Sequence, residues 1–332
     1  MQKVFTLKQY FTSHNFSWEV YPLGSFGTTV SDITLTEYNR FWVGGHIENQ
    51  DSGGTLYNAV EFNNYYWTYR NIPSKYFDGH WGYSEILAIF SFGADHIWGF
   101  TRAGSYVRFQ DSTWTSEFIW EAKGSIYAIW GLSPDNVYFA GSNGNITRFR
   151  NENWTLLSTT TDVNLRDIWG SKDGAEVWAC GHEGDYSKSA LLRVRSSGSE
   201  IIWQYPGSDD GYPYEYSLTS LYFKNDDEIL LTGGRSIYSH NIKSGTATKL
   251  DVQLSSFPTR IRGTAENNIF VAGHDGMVVH YNGSTWKEYT AIKNPDYWLY
   301  SISCSENQVV ILGSDYTEGV QKGVVLIGNR AD

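Results

Sequence analysis

Cysteine is nearly absent. Cys180 and Cys304 are the only two in 332 residues, so no disulfide framework holds this chain together and two buried thiols are expected. Methionine is equally scarce, at two. No run approaches the roughly 18 apolar residues of a membrane-spanning helix, and the opening MQKVFTLKQYFTSHNF lacks the apolar core of a signal peptide. Basic residues are few and scattered: 25 Lys and Arg stand against 36 Asp and Glu, for a net charge of −11. Nucleic-acid affinity comes largely from clustered Lys and Arg, so that class of partner is excluded. A GxSxG elbow, a Walker loop and a dinucleotide fingerprint in proper context are also missing.

What the chain has in abundance is aromatic side chains and glycine, with 14 Trp, 24 Tyr, 17 Phe and 33 Gly. Flat, rigid side chains favour strands and sheet-to-sheet packing. The segment 125–155, SIYAIWGLSPDNVYFAGSNGNITRFRNENWT, shows how they are used. Four short β-type runs (126–130, 137–140, 146–149 and the neighbourhood of Trp154) are punctuated by Gly131, Pro134, Asp135, Asn136, Gly141, Gly144, Asn151 and Asn153. This reads as an antiparallel four-stranded meander, one copy among several.

The copies are there. A strand ending in glycine recurs as FWVGG, VYFAG, VWACG, ILLTG, IFVAG and VVILG, with IWGFT as a degenerate copy. The preceding strand recurs as SDITL, LAIFS, YAIWG, RDIWG, TSLYF, TRIRG and YSISC. With Ile33, Ile89, Ile129, Ile168, Leu221, Ile261 and Ile302 as register marks, the spacings are 56, 40, 39, 53, 40 and 41 residues. A period near 40 with four strands each predicts an all-β, seven-bladed propeller of four-stranded antiparallel blades in one domain over 1–332. The blades fall near 30–70, 85–116, 125–157, 165–203, 218–250, 259–289 and 299–328. The last lacks an outer strand, which segment 16–21 (FSWEVY) supplies after an extension over 1–15, closing the ring.

IWGSKDGAEVWACG and AENNIFVAGHDGMVVHYNGSTW resemble the repeats of bacterial extracytoplasmic propellers of the Asp-box (neuraminidase-like repeat) and photosystem-assembly-factor-like group. NGSTW at Asn282 and DSTW at Asp111 keep only the tail of the Asp-box order, and no segment supplies a sialidase arginine triad. The resemblance implies an extracytoplasmic protein whose export signal is absent here; a cytoplasmic location is the alternative.

Loop lengths separate the two faces of such a ring. Connections from first to second strand are short (FGAD, LSPD, SKDGA, KNDD, AENN, SENQ). The opposite face carries long blade-to-blade segments (71–84, 204–217, 291–300) and long second-to-third loops (from His46, His182 and Ser314). Loops on a rigid scaffold are where function concentrates. Tyr76, Asp78, His80, Trp81, Tyr83, Tyr205, Asp209, Asp210, Tyr212, Tyr214, Tyr297, Trp298 and Tyr316 are the candidate ligand-binding residues. Aromatic faces beside carboxylates suit a glycan or a protein ligand. The competing expectation is a cap, in which these loops bury their own aromatics.

His46, His182 and His274 follow equivalent glycines in blades 1, 4 and 6, too far apart for one metal ion. HEGD at His182 and DSGG beside Asn49 and Asp51 match no EF-hand, and the four Asn-x-Ser/Thr triplets say little. No cofactor, metal or catalytic residue is assigned. The expected function is non-enzymatic recognition of a glycan or protein by a monomer. The alternatives are a glycoside hydrolase or lyase using loop carboxylates such as Asp78, Asp209 and Asp210, and an assembly scaffold.

Overall fold

The computed structural model describes residues 12–49, 53–207 and 211–331. It is a seven-bladed propeller of four-stranded antiparallel sheets. The inner strands are Thr29–Glu37, Ile86–Ser91, Ile126–Ser133, Leu165–Gly170, Leu218–Phe223, Pro258–Ala265 and Tyr297–Cys304, for blades 1 to 7. Each blade then runs outward by hairpins; blade 4, for example, continues through Val177–His182, Ser189–Arg195 and Gly198–Tyr205. Phe16–Leu23 pairs antiparallel with Lys322–Arg330, from Phe16 opposite Arg330 to Leu23 opposite Gly323, and so forms the outer strand of blade 7. The ring is closed by both ends of the described chain. No helix among the described residues is long and apolar enough to cross a membrane.

Second strands are buried on both faces, which explains their uninterrupted apolar sequences. Their side chains fill the spaces between blades. Trp98 of blade 2 packs against Phe139, Phe149 and Trp154 of blade 3 with ring centroids 4.8–6.0 Å apart. This is the use to which the high aromatic content is put.

The recurring glycine has a specific cause. All seven inner strands carry a bulge beside the residue that faces the end of the second strand. The bulge drives a carbonyl toward that end. A Cβ on Gly141 or Gly181 would stand 2.0 Å from the carbonyl oxygen of Ser125 or Asn164. At Gly45, Gly233, Gly273 and Gly313 the same clash is at 2.2–2.5 Å. Gly141 and Gly273 have extended backbone angles, so close approach and not a left-handed conformation demands glycine. Blade 2 has Thr101 at this place.

The residue just past the bulge reaches toward the neighbouring blade. Asp32 accepts hydrogen bonds from the Ile89 N–H of blade 2 (2.9 Å) and the Ser301 hydroxyl of blade 7 (2.5 Å). Asp167 does the same with the Leu221 N–H (3.0 Å) and the Ser220 hydroxyl (2.5 Å) of blade 5. Ser220 in turn accepts from the Ile261 N–H of blade 6 (3.2 Å). The inner strands are thereby clasped around the axis, with Ala88 and Ala128 as the plain positions of blades 2 and 3.

Two histidines are buried without charge. His280 stacks on Phe270 (4.4 Å) and its ring faces His14 and Asn268. His240 meets the Tyr214 hydroxyl at 2.6 Å. Burial pulls their pKa values down to about 3 and about 4.

Replacing Gly181 with Ala should destabilise the fold by about 1–3 kcal/mol through overpacking. Gly184, whose Cβ position is open, should tolerate the same change within about 0.5 kcal/mol. Denaturant unfolding of the two variants checks both. A second expectation concerns pH. The unfolded histidines titrate near 6.5, above their folded values, so the unfolded chain binds more protons between about pH 6.5 and 3. The stability they contribute is fully present above about pH 6.5 and is lost as pH falls. Urea midpoints should drop from pH 7 to pH 5, with a smaller drop in a folded His240→Gln/His280→Gln variant.

Candidate binding site

Because an inner strand begins at the long-loop face, its first residues ring the mouth of the central channel. Ser31, Tyr127, Arg166, Thr219, Thr259 and Tyr300 come from these positions, while His182 ends a second strand and Gly234 and His274 follow theirs. Together with Tyr186, Glu215, Tyr216 and Phe257 they line a cavity of about 660 Å³ open at that face.

Its electrostatics are unlike those of the whole chain. The Arg166 guanidinium lies over the Tyr127 ring at 4.7 Å and makes one long hydrogen bond, to the His182 carbonyl (3.4 Å). Arg235 lies over Phe257, also at 4.7 Å. Neither arginine meets a carboxylate in an ion pair among the described residues. Glu215, the mouth's carboxylate, is engaged by Lys249 (2.9 Å) and Ser236 (3.3 Å). Burial holds the imidazoles of His182 and His274 below their ordinary pKa, so at neutral pH they are uncharged rings. His182 stacks on Tyr186 and His274 on Trp298.

Arg260 forms the floor. Its guanidinium reaches the Tyr300 carbonyl (3.2 Å), the Arg166 carbonyl (3.4 Å) and Asp167 (2.9 Å). Beneath it Arg262 binds Asp167 with two N–H groups, at 2.7 and 2.8 Å, and stacks on Trp169 at 4.1 Å. Burial opposes the Asp167 charge, but Arg262 and Arg260 outweigh it and hold the carboxyl below its usual range. Asp32 sits under the opposite balance: burial pushes it up and Arg260 only partly offsets this. Both carboxylates are occupied by inter-blade hydrogen bonds.

Below this layer a smaller cavity of about 200 Å³ is lined by Phe90, Ile129, Trp169 and Cys304 among others. Both cysteines are free. Cys180 is buried as expected, whereas Cys304 is half-buried because it ends an inner strand on the channel wall. Burial pushes both thiols up, so neither is an activated nucleophile.

The candidate residues taken from the loops divide into three groups. Tyr76, Asp78, His80, Trp81 and Tyr83 lie on a small hairpin, Ser74–Lys75 with Trp81–Gly82, which leans on the outer strands of blade 2 through Lys75, Ser116 and Glu117. There Tyr76 stacks on His80 (4.3 Å), and Asp78 binds that histidine. Tyr212 and Tyr214 stack over His240 of blade 5, with Tyr214 buried, while Tyr205 packs edge-on against Tyr216 at the mouth. Tyr316 packs edge-on against Trp298, which stacks on the mouth residue His274, and the half-buried Tyr297 joins the core of blade 7. Asp209 and Asp210, like Asp51, lie outside the described residues. The loops therefore cap individual blades and leave the axis open among the described residues. Asp185 and Glu183 of the acidic turn bind Ser187 and Asn164, and no group of three possible metal ligands exists among the described residues.

Arg166, Tyr127, Tyr300 and Phe257 do not stand out in the sequence by type or by loop length. A signal is nonetheless present: Ser31, Tyr127, Arg166, Thr219, Thr259 and Tyr300 all stand two residues before a register mark.

No family model and no curated protein matches the chain. Solved structures do. The chain is similar to YCF48 bound to D1 peptide (TM-score 0.69, 19% identity, covering 97% of this chain and 100% of that one). YCF48 from Cyanidioschyzon merolae aligns with a TM-score of 0.65 at 15% identity, over 94% of this chain and 98% of that one. The WD40 propeller domain of Doa1 aligns with a TM-score of 0.63 at 11% identity, over 95% and 98%. At these identities the likeness is one of fold.

The axial carboxylates should differ in weight. Asp167→Asn removes the counter-charge from two arginines and should cost about 3–5 kcal/mol. Asp32→Asn removes one acceptor and should cost about 1–3 kcal/mol. Unfolding free energies of the two variants decide the order.

Proposed function

We propose that this propeller is a non-enzymatic binding protein that takes up a segment of a protein partner at the mouth of its channel, in an assembly or scaffolding role. The observation that carries this is Arg166: a half-buried guanidinium, stacked on an aromatic ring, without an anionic partner among the described residues. Such a group is pre-organised for a carboxylate, which it can bind with two N–H donors. The surrounding rings suit apolar side chains of the same segment. A glycan, whose hydroxyls need acceptors as well as donors, is served less well, because the Glu215 carboxylate is already engaged. A binding role is also favoured over hydrolysis because Asp32 and Asp167 spend their oxygens on the ring closure. The fold is shared with a propeller solved with a bound peptide, which supports the same reading. Residence outside the cytoplasm belongs to this reading as well, and fractionation of the producing cells tests it.

Peptide arrays varied in acidic and aromatic content should yield ligands enriched in Asp or Glu beside an apolar residue. Arg166→Ala should weaken them at least about tenfold, the value of one charge-assisted contact. Binders confined to a glycan array, or peptide binding indifferent to Arg166, would reject the assignment.

A further inference from the structure

A second site is built between blades 1 and 2, along their outer strands. The residue three places before the glycine position of a second strand is often aromatic, and the residue paired with it on the third strand covers it. Arg108, Arg148 and Arg193 cover Trp98, Tyr138 and Trp178 at 4.8, 4.8 and 5.9 Å. In blade 6, His280 covers Phe270. Blade 1 breaks the rule. Trp42 is paired with Glu61, whose carboxylate is held by Arg40 (3.0 Å) and Arg70 (3.1 Å). Among the described residues no guanidinium stacks on Trp42, and a groove of about 780 Å³ is left beside it.

The wall of the groove holds an unmet, buried donor. Trp42 is 4% exposed and lines the groove, and among the described residues its buried Nε1–H has no hydrogen-bond partner. Its counterparts are satisfied: Trp98 donates to the Pro134 carbonyl (3.2 Å) and Trp178 to Glu176 (3.1 Å). Glu61 engages Nε and Nη2 of Arg40 and Nη2 of Arg70, fewer than the five N–H donors each guanidinium carries. Two positive charges against one negative make the groove basic in a chain of net charge −11. Phe109 and Trp114 supply an apolar wall, and the hairpins of blade 1 expose Tyr38, Tyr65 and Tyr66 at 57%, 69% and 77%.

We propose that this groove docks a polypeptide segment of a partner, with a carboxylate against Arg40 and Arg70 and a neighbouring apolar side chain on Phe109 and Trp114, beside the Trp42 ring. It shares no lining residue with the channel mouth, so the two sites are independent and the protein bridges two segments.

Nuclear magnetic resonance of the protein labelled with ¹⁵N at tryptophan tests this directly, with the Trp42 indole resonance assigned through Trp42→Phe. The probe is N-acetyl-phenylalanyl-aspartate, and the control is the same compound with its carboxyl groups converted to amides. The acidic probe should shift the Trp42 resonance saturably and the amide should not. Arg70→Ala, at an exposed position, should weaken the effect at least about fivefold with the other indole resonances unchanged. Arg166→Ala should leave it intact. A Trp42 resonance unmoved up to the solubility limit of the probe, an equal response to the amide, or an effect that Arg70→Ala spares and Arg166→Ala removes would each overturn the site.

Discussion

The structure depends on the clasp between neighbouring inner strands. A propeller blade is a sheet with two wet faces unless another blade covers it, and the ring is stable only if seven such contacts close together. Here the bulge at the start of every inner strand sets that geometry. It turns the following side chain toward the next blade, where Asp32, Asp167, Ser220 and Ser301 take up backbone N–H groups. It also drives a carbonyl against the second strand, and glycine is the residue that leaves room for it. Asp167 stands at the centre of this arrangement, because Arg260 and Arg262 of blade 6 reach across blade 5 to it. Blades 4 to 6 are tied by charge, and blades 7, 1 and 2 by the hydrogen bonds of Asp32.

Much of this was legible in the sequence. The glycine-ended strand, the period near 40 residues and the strand-like segment before the first inner strand all carried over to seven blades closed by Phe16–Leu23. These are local patterns, repeated, and repetition makes weak signals add. The placement of the candidate loop residues was not legible there, because it depends on which blade each loop packs against. Aromatic and acidic loop residues drew attention because they depart from the repeat, yet Tyr214 is buried over blade 5 and Tyr76 stacks within its own hairpin. The mouth is lined by loop residues such as Tyr186 and Tyr216 together with residues inside the repeat, such as Arg166 and Tyr127, whose significance lies in a column read across blades. Whether a guanidinium has a carboxylate partner is a matter of three-dimensional placement, and the −11 total conceals it.

The same scaffold thus presents two separate basic, aromatic-lined recesses on an acidic molecule. Each arises where a regular position of the repeat holds an irregular residue: Arg166 at the start of an inner strand, and Glu61 where other blades place a cation over their aromatic ring. Function in a repeat fold is written in such substitutions as much as in its insertions, since a recess between regular elements is rigid while a loop must be ordered on binding.

The central claim is that the mouth of the channel receives a protein. Replacing Tyr216, exposed at that mouth, with a photo-crosslinking phenylalanine derivative in the producing cell measures this whatever the partner's identity. Irradiation should give a discrete protein adduct at position 216 and none at position 172, in a short hairpin of the opposite face. The absence of any adduct at 216, or the same adducts from both positions, would contradict it.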